Sequence, residues 1–176
     1  MKHILLLDID DVIWNLLEAW VSYLNKHYDT NVDWETINEW DMSKSFPTLT
    51  AEQLYGLFHD LDFWMTVKPI EGATEGIIRL QKKYDVYLLS ATDVSTISVK
   101  FVALKDKFPM IDERHIIFCK NKQLVFGDYL VDDNINNLIG GEYKKILFTA
   151  PHNKNDKLPD NIIRCNNWSE LVYLLM

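Results

Sequence analysis

Apolar residues recur along this chain in two alternating rhythms. Short continuous runs fall at His3–Leu7, Val86–Ser90, His115–Cys119, Tyr129–Val131 and Lys145–Thr149, and each predicts a buried strand. Between them lie stretches at helical spacing: Val12, Leu16, Leu17, Trp20 and Leu24, then Ala73–Lys83, Ser95–Lys107 and Trp168–Leu175. A last strand-like stretch, Ile162–Arg164, follows a polar loop over His152–Asp160. Strands alternating with helices predict an α/β fold with a central parallel sheet and right-handed crossovers.

Residues 30–67 break the alternation. They carry Trp34, Trp40, Phe46, Tyr55, Phe58, Phe63 and Trp64 in a polar, helix-prone background without a strong strand. The segment reads as a small helical cap inserted after the first strand-helix unit, dividing the core into 1–29 and 68–176. Thr50 and Gln53 have capping-box spacing, so a helix is expected to start there and run to His59. Pro69 and Gly72 mark the return to the core.

Composition narrows the classes. A chain of 176 residues, 48% hydrophobic with 6 Gly and 5 Pro, holds one core domain with an insertion and excludes intrinsic disorder. A net charge of −8 argues against a nucleic-acid polymer as partner, since a phosphate-tracking protein carries a basic stripe. The two cysteines, Cys119 and Cys165, have no zinc or disulfide spacing, and no apolar run suits a signal core or a bilayer. The expectation is a cytoplasmic protein with no membrane contact and a small-molecule ligand.

The strongest chemical signal is Leu5-Leu6-Leu7-Asp8-Ile9-Asp10-Asp11-Val12, an apolar strand emptying into carboxylates. Asp8 and Asp10 can both face the crevice at a strand's carboxyl end. One could attack phosphorus while the other handles the leaving-group proton, with Mg²⁺ screening their repulsion. Equally, an acidic turn can do no more than cap a helix. A second acidic pair, Asp132-Asp133, ends the run Tyr129–Val131, and two such strand ends supply oxygen ligands to a hard cation. One of the pair is expected to cap the helix near Asn134–Leu138. Ser90 ends a strand where a hydroxyl and a backbone N–H suit phosphate oxygens, and Lys120-Asn121-Lys122 offers compensating charge.

The order of these motifs, Asp8 to Val12, then Ser90, then Lys122, then Gly127-Asp128 through Asp132-Asp133, resembles the haloacid dehalogenase (HAD) phosphatase superfamily. Lys122 through Asp133, followed by Ile146-Leu147-Phe148-Thr149 and His152-Asn153, is similar to the 5′(3′)-deoxyribonucleotidase family. So is Phe63-Trp64 followed by Pro69-Ile70-Glu71-Gly72-Ala73. The resemblance covers nearly the entire chain. It implies a HAD-like, Rossmann-like three-layer fold and a phosphomonoesterase that dephosphorylates deoxyribonucleoside 5′(3′)-monophosphates through an aspartyl-phosphate. By position it makes Asp8 the nucleophile and Asp10 the acid/base, with Ser90 and the N–H of Ala91 on the phosphoryl oxygens and Lys122 neutralising their charge. The implied Mg²⁺ is held by Asp8, the backbone carbonyl of Asp10 and Asp133, with Asp132 the runner-up. Trp40 and Phe58 fall near base-contacting positions and Leu16 near an apolar contact.

Asp11 stands where the family has Gly, and Lys120-Asn121 where it has Arg-Asp. Asp11 either adds negative charge beside the phosphate or points outward to cap the helix. A homodimer is allowed for. The alternatives are a capped HAD phosphatase of sugar phosphates, with the aromatic residues as cap core, and a non-catalytic phosphate-binding protein. Against the second stand both Asp8 and Asp10, because a binder needs neither nucleophile nor acid/base.

Overall fold

β1 (His3–Leu7) is buried on both faces: Leu5 and Leu7 face one hydrophobic cluster and Leu6 the other. That is the environment a continuous apolar run demands, since successive strand side chains point to opposite sides. The computed structural model describes residues 2–39 and 41–176; Trp40 lies outside the described residues. After β1 come α1 (Leu16–Tyr28), α2 (Met42–Ser45), α3 (Ala51–Tyr55), α4 (Leu61–Thr66), α5 (Ala73–Leu80), β2 (Tyr84–Ser90) and α6 (Ile97–Lys107). Then follow β3 (Ile116–Phe118), β4 (Tyr129–Asp132), α7 (Ile135–Leu138), β5 (Lys144–Phe148), β6 (Ile162–Cys165) and α8 (Trp168–Leu175).

The strands form one parallel sheet in the order β3-β2-β1-β4-β5-β6. The chain runs outward in one direction from β1 and in the other from β4, so the switch in direction falls between these two strands. In such sheets the ligand crevice lies there, beyond the carboxyl ends. Asp8 leaves β1 and Asp132 ends β4 at that place. The Gly127-Asp128 turn clasps β4 to β1: Asp128 N donates to Ile4 O at 2.9 Å, and Ile4 N donates to Asp128 Oδ2 at 2.7 Å.

The first helix differs from the expected span. It opens at Leu16, because the chain leaving β1 turns through Asp11 in the left-handed region (φ 53°) and closes a tight loop, with Ile13 N donating to Ile9 O at 3.0 Å. Val12 is therefore loop, though fully buried. The capping box at Thr50 forms as expected, with Thr50 N donating to Gln53 Oε1 at 2.8 Å; past Tyr55 the helix tightens into a 3₁₀ turn over Gly56–His59. α5 stops at Leu80, three residues before the predicted end.

Between α1 and α5 the described residues fall into short helices joined by turns, and they build no separate core. Phe46, Leu54, Leu57, Phe63 and Trp64 join the cluster that contains Leu16, Trp20 and Leu24 of α1. Trp20 Nε1 donates to Leu54 O at 2.8 Å, and Lys107 of α6 donates to Met65 O at 2.9 Å. Where the segment returns, Asn15 N donates to Lys68 O at 2.8 Å and Ile70 N to Ile13 O at 2.9 Å, so its exit is tied to the loop that follows β1.

α8 packs on α5 through Trp168, whose Nε1 donates to Val12 O at 2.8 Å. Gly76 of α5 lies under that indole: a Cβ there would come within 2.9 Å of Trp168 Cζ3 and closer still to Cε3. Alanine gains about 1 kcal/mol of helix propensity over glycine, whereas overpacking a fixed ring costs about 1–3 kcal/mol. Gly76→Ala is therefore expected to lower Tm by several degrees in thermal denaturation, despite the better helix former; an unchanged or raised Tm would show that the indole moves freely.

Candidate active site

Four buried side chains meet at the switch point. Lys122 Nζ lies 2.6 Å from Asp8 Oδ1 and 2.6 Å from Asp132 Oδ2, and the lysine is 1% exposed. Carboxylate oxygens of Asp8, Asp132 and Asp133 lie within 4.8 Å of one another. One ammonium faces three carboxylates, and the electrostatics follow. Burial pushes the Asp8 and Asp133 carboxyls well above the ordinary carboxylate range, with Asp132 adding repulsion to each. Burial opposes the Lys122 charge, but Asp8 and Asp132 overcome it and raise its pKa.

The two carboxylates at the end of β4 differ in their partners. Asp132 Oδ2 is taken by Lys122, and Oδ1 accepts from Asn134 N at 2.9 Å and Asn137 Nδ2 at 3.0 Å. Neither aspartate is the cap of α7; Asn134 is, its side chain accepting from Asn136 N at 3.0 Å. Asp133 Oδ2 is buried without a hydrogen bond, with His152 Nε2 3.0 Å from it and 3.3 Å from Asp133 O. Asn153 fixes the loop, its Nδ2 donating to Asp133 O at 2.7 Å and Phe148 O at 2.8 Å. Crowded, buried, partly unsatisfied carboxylates of this kind suit a hard divalent cation with oxygen ligands.

Asp11 points inward rather than outward. It is 7% exposed, and Oδ1 accepts from Leu17 N at 3.0 Å, so it caps α1 in place of Asn15, whose side chain makes no cap. Burial, then Asp133, pushes its carboxyl well above the ordinary range.

Asp10 opens on a pocket of about 390 Å³ that also brings Leu16, Phe58, Trp64, Thr92 and Lys100 together. Leu16 and Phe58, predicted from separate stretches of sequence, thus line one cavity beside Asp10. Phe58 is also packed in a ring cluster, 4.8 Å from Trp20 and 5.5 Å from Trp64. Ser90 is fully buried, while Ala91 is the first exposed residue beyond β2. A larger cleft of about 810 Å³ lies on the far side of Asp11, between Trp34, Gly72 and Trp168. Asp11 is its one link to the acidic cluster, and the chemistry decides for the smaller pocket.

Sequence reasoning missed Lys100 and Trp14. Trp14 Nε1 donates to Asp10 Oδ1 at 2.9 Å, and Lys100 Nζ reaches Asp10 Oδ2 at 2.5 Å. The signal was present: Thr96, Lys100 and Ala103 share the buried face of α6, so a lysine occupies a position where the helical period calls for an apolar residue.

Solved structures with this architecture are HAD hydrolases. A haloacid dehalogenase-like hydrolase of Streptococcus pneumoniae superposes with a TM-score of 0.64 at 15% identity, covering 98% of each chain. A Bacillus subtilis HAD-hydrolase structure, bound to magnesium, gives 0.63 at 16% identity over 99% of this chain and 98% of that one. These define the class as the HAD hydrolase fold. Residues 2–176 match the family described as 5′ nucleotidase, deoxy (pyrimidine), cytosolic type C protein, and the chain belongs to it. The 5′(3′)-deoxyribonucleotidase of Bacillus subtilis (strain 168) is 35% identical over 178 residues, spanning 100% of both chains. That of Clostridium acetobutylicum is 31% identical over 169 residues, 96% of this chain and 92% of the other. The chain is accordingly a hydrolase of the 5′-nucleotidase type, a phosphomonoesterase.

In the cation-free chain Asp8, Asp11 and Asp133 hold protons more tightly folded than unfolded, burial being the first cause in each. The folded state then binds more protons above the ordinary carboxylate pKa of about 4, so stability falls as pH rises. His152, whose pKa burial lowers, acts in the opposite sense below about 6.5, one group against three. Tm in chelator is expected to be higher at pH 5 than at pH 8, and a divalent cation to raise it most at pH 8. A flat profile in chelator would refute this account of the cluster.

Proposed function

We propose that this phosphomonoesterase is a Mg²⁺-dependent enzyme acting on deoxyribonucleoside 5′(3′)-monophosphates through a phosphorylated Asp8. The reading is carried by one observation. Asp10 joins the buried Asp8–Lys122–Asp133 cluster to an aromatic-walled pocket, so a ligand seated in that pocket can present its phosphate to both carboxylates. The names of the relatives supply the substrate class. Residues 30–67 act as the cap over the core, 1–29 and 68–176, and shield the transfer from water. The free thiols of Cys119 and Cys165 suit the cytoplasm.

In this reading Asp8 attacks phosphorus in line and Asp10 protonates the departing oxygen, then takes a proton from the water that releases phosphate. Ser90 Oγ and the N–H of Ala91 hold the phosphoryl oxygens, and Lys122 meets their charge. Asp8, Asp133 and the backbone carbonyl of Asp10 would hold Mg²⁺, which supplies charge neutralisation between carboxylates and phosphate. Asp133 is preferred to Asp132 because both oxygens of Asp132 already have donors while Asp133 Oδ2 has none. Leu16 and Phe58, which line the pocket, form the base and sugar contacts.

Asp8→Asn is expected to abolish turnover without unfolding the chain, and Asp10→Asn to lower it roughly 10²–10⁴-fold. Hydrolysis of a panel of nucleoside monophosphates should stop in chelator and return with Mg²⁺, with Ca²⁺ substituting poorly because of its looser shell. Full activity in excess chelator overturns the proposal.

The packing of Phe58 against Trp20 and Trp64 favours a second reading, in which the ring is cap core and the substrate is another small phosphate ester. Phe58→Ala separates the two. A stacked base loses about 1–3 kcal/mol of binding on the nucleotide alone, whereas a core cavity lowers Tm and impairs every substrate together.

A further inference from the structure

Two lysines are buried to 1% exposure at this site, and only one of them serves Asp8. The other, Lys100, projects from α6 toward Asp10. Its Nζ donates to Asp10 Oδ2 at 2.5 Å, Thr92 Oγ1 at 2.6 Å and Ser90 Oγ at 2.9 Å, which uses all three of its protons. The charge also sits 5.2 Å from the Trp64 ring and 5.9 Å from that of Trp14, within cation–π range. With Trp14 Nε1 on Oδ1, each oxygen of Asp10 has one fixed donor, so the plane of the carboxyl group is set.

Packing alone does not call for a charge at this position. A buried ammonium is costly to desolvate. The Asp10 side chain is 23% exposed on its pocket side, where water could solvate it without help. The stripe Thr96, Lys100, Ala103 and Leu104 would pack as well with an apolar side chain in the second place.

We propose that Lys100 is the positioning residue for proton transfer by Asp10. It holds the carboxyl group in one orientation and stabilises the negative charge that grows there as the proton leaves. The inference rests on the hydrolase reading above. In the first half-reaction a bond forms from Asp8 Oδ to phosphorus as the phosphorus–oxygen bond to the nucleoside breaks. The departing oxygen takes the Asp10 proton, giving a hydroxyl and an Asp10 carboxylate. In the second half-reaction that carboxylate takes a proton from water, whose oxygen bonds to phosphorus as the bond to Asp8 breaks, restoring both aspartates and releasing phosphate. Lys100 keeps its own protons throughout and faces the charge of Asp10 in each half.

The consequence is a dependence on the leaving group. A nucleoside alkoxide needs the proton in order to depart, whereas a nitrophenolate departs as a stable anion. Because kcat/KM reports steps only through that departure, it isolates the first half-reaction. Lys100→Met should lower kcat/KM at least about 100-fold on a deoxyribonucleoside monophosphate and less than about 10-fold on p-nitrophenyl phosphate. Lys100→Arg keeps the buried charge, guards against a folding failure in the first variant, and should show the same selectivity because its planar head cannot meet the three oxygens alike. Equal losses on both esters would overturn the inference, pointing to a phosphate contact if Tm is unchanged and to a structural role if Tm falls. A wild-type chain that cleaves neither ester overturns the hydrolase reading itself, and that result cannot be mistaken for failure of the Lys100 assignment.

Discussion

The ammonium of Lys122 is what allows β1 and β4 to end side by side in carboxylates. Desolvating each ion costs several kcal/mol, and a buried pair recovers that only with close geometry and further hydrogen bonds. Lys122 supplies two contacts at 2.6 Å, and Asn134 and Asn137 complete the shell of Asp132. The balance stays incomplete at Asp133, with an oxygen buried and unbonded. A cluster with more buried carboxyl groups than ammonium groups is held at a cost to the fold. The clasp of Asp128 on Ile4, the cap from Asp11 and the cradle of Asn153 all keep these strand ends in register.

Strands and their order of use were legible in the sequence because a parallel sheet buried on both faces leaves continuous apolar runs. β1, β2, β4 and β5 fall where those runs do, and α8 coincides with its predicted span. The apolar spacing places the helix after β1 four residues early, because Val12 is apolar for a reason other than helical period: it lines a tight loop, and its carbonyl accepts from Trp168. At the site, aspartates at strand ends announced themselves, whereas Lys100 did not. A lysine on a helix is ordinarily a solvated residue, and only its phase relative to Thr96 and Ala103 sets it apart. The partner lists that separate Asp132 from Asp133 depend on three-dimensional neighbours such as Asn137 and His152, which adjacent positions in sequence cannot rank.

The helical insert is joined to the chemistry by packing as well as by chain. Trp64 stacks on Trp14 at 5.5 Å between ring centres, and Trp14 bonds Asp10. Since closely packed interiors transmit displacement, a shift of α4 reaches Asp10 through a single indole. The ladder at Asn15–Lys68 and Ile13–Ile70 ties the return of the insert to the same loop. The segment shares its packing with α1 and is fastened to this loop at its exit.

The bond from Trp168 to Val12 makes the loop that follows β1 depend on a helix far away in sequence. The indole that supports the loop bearing Asp10 and Asp11 lies 156 residues further along the chain, and β1 likewise pairs along its second edge with the distant β4. Local undocking of α8 from α5 would therefore release this loop as well, coupling the fraying of a distant helix to the order of the acidic cluster.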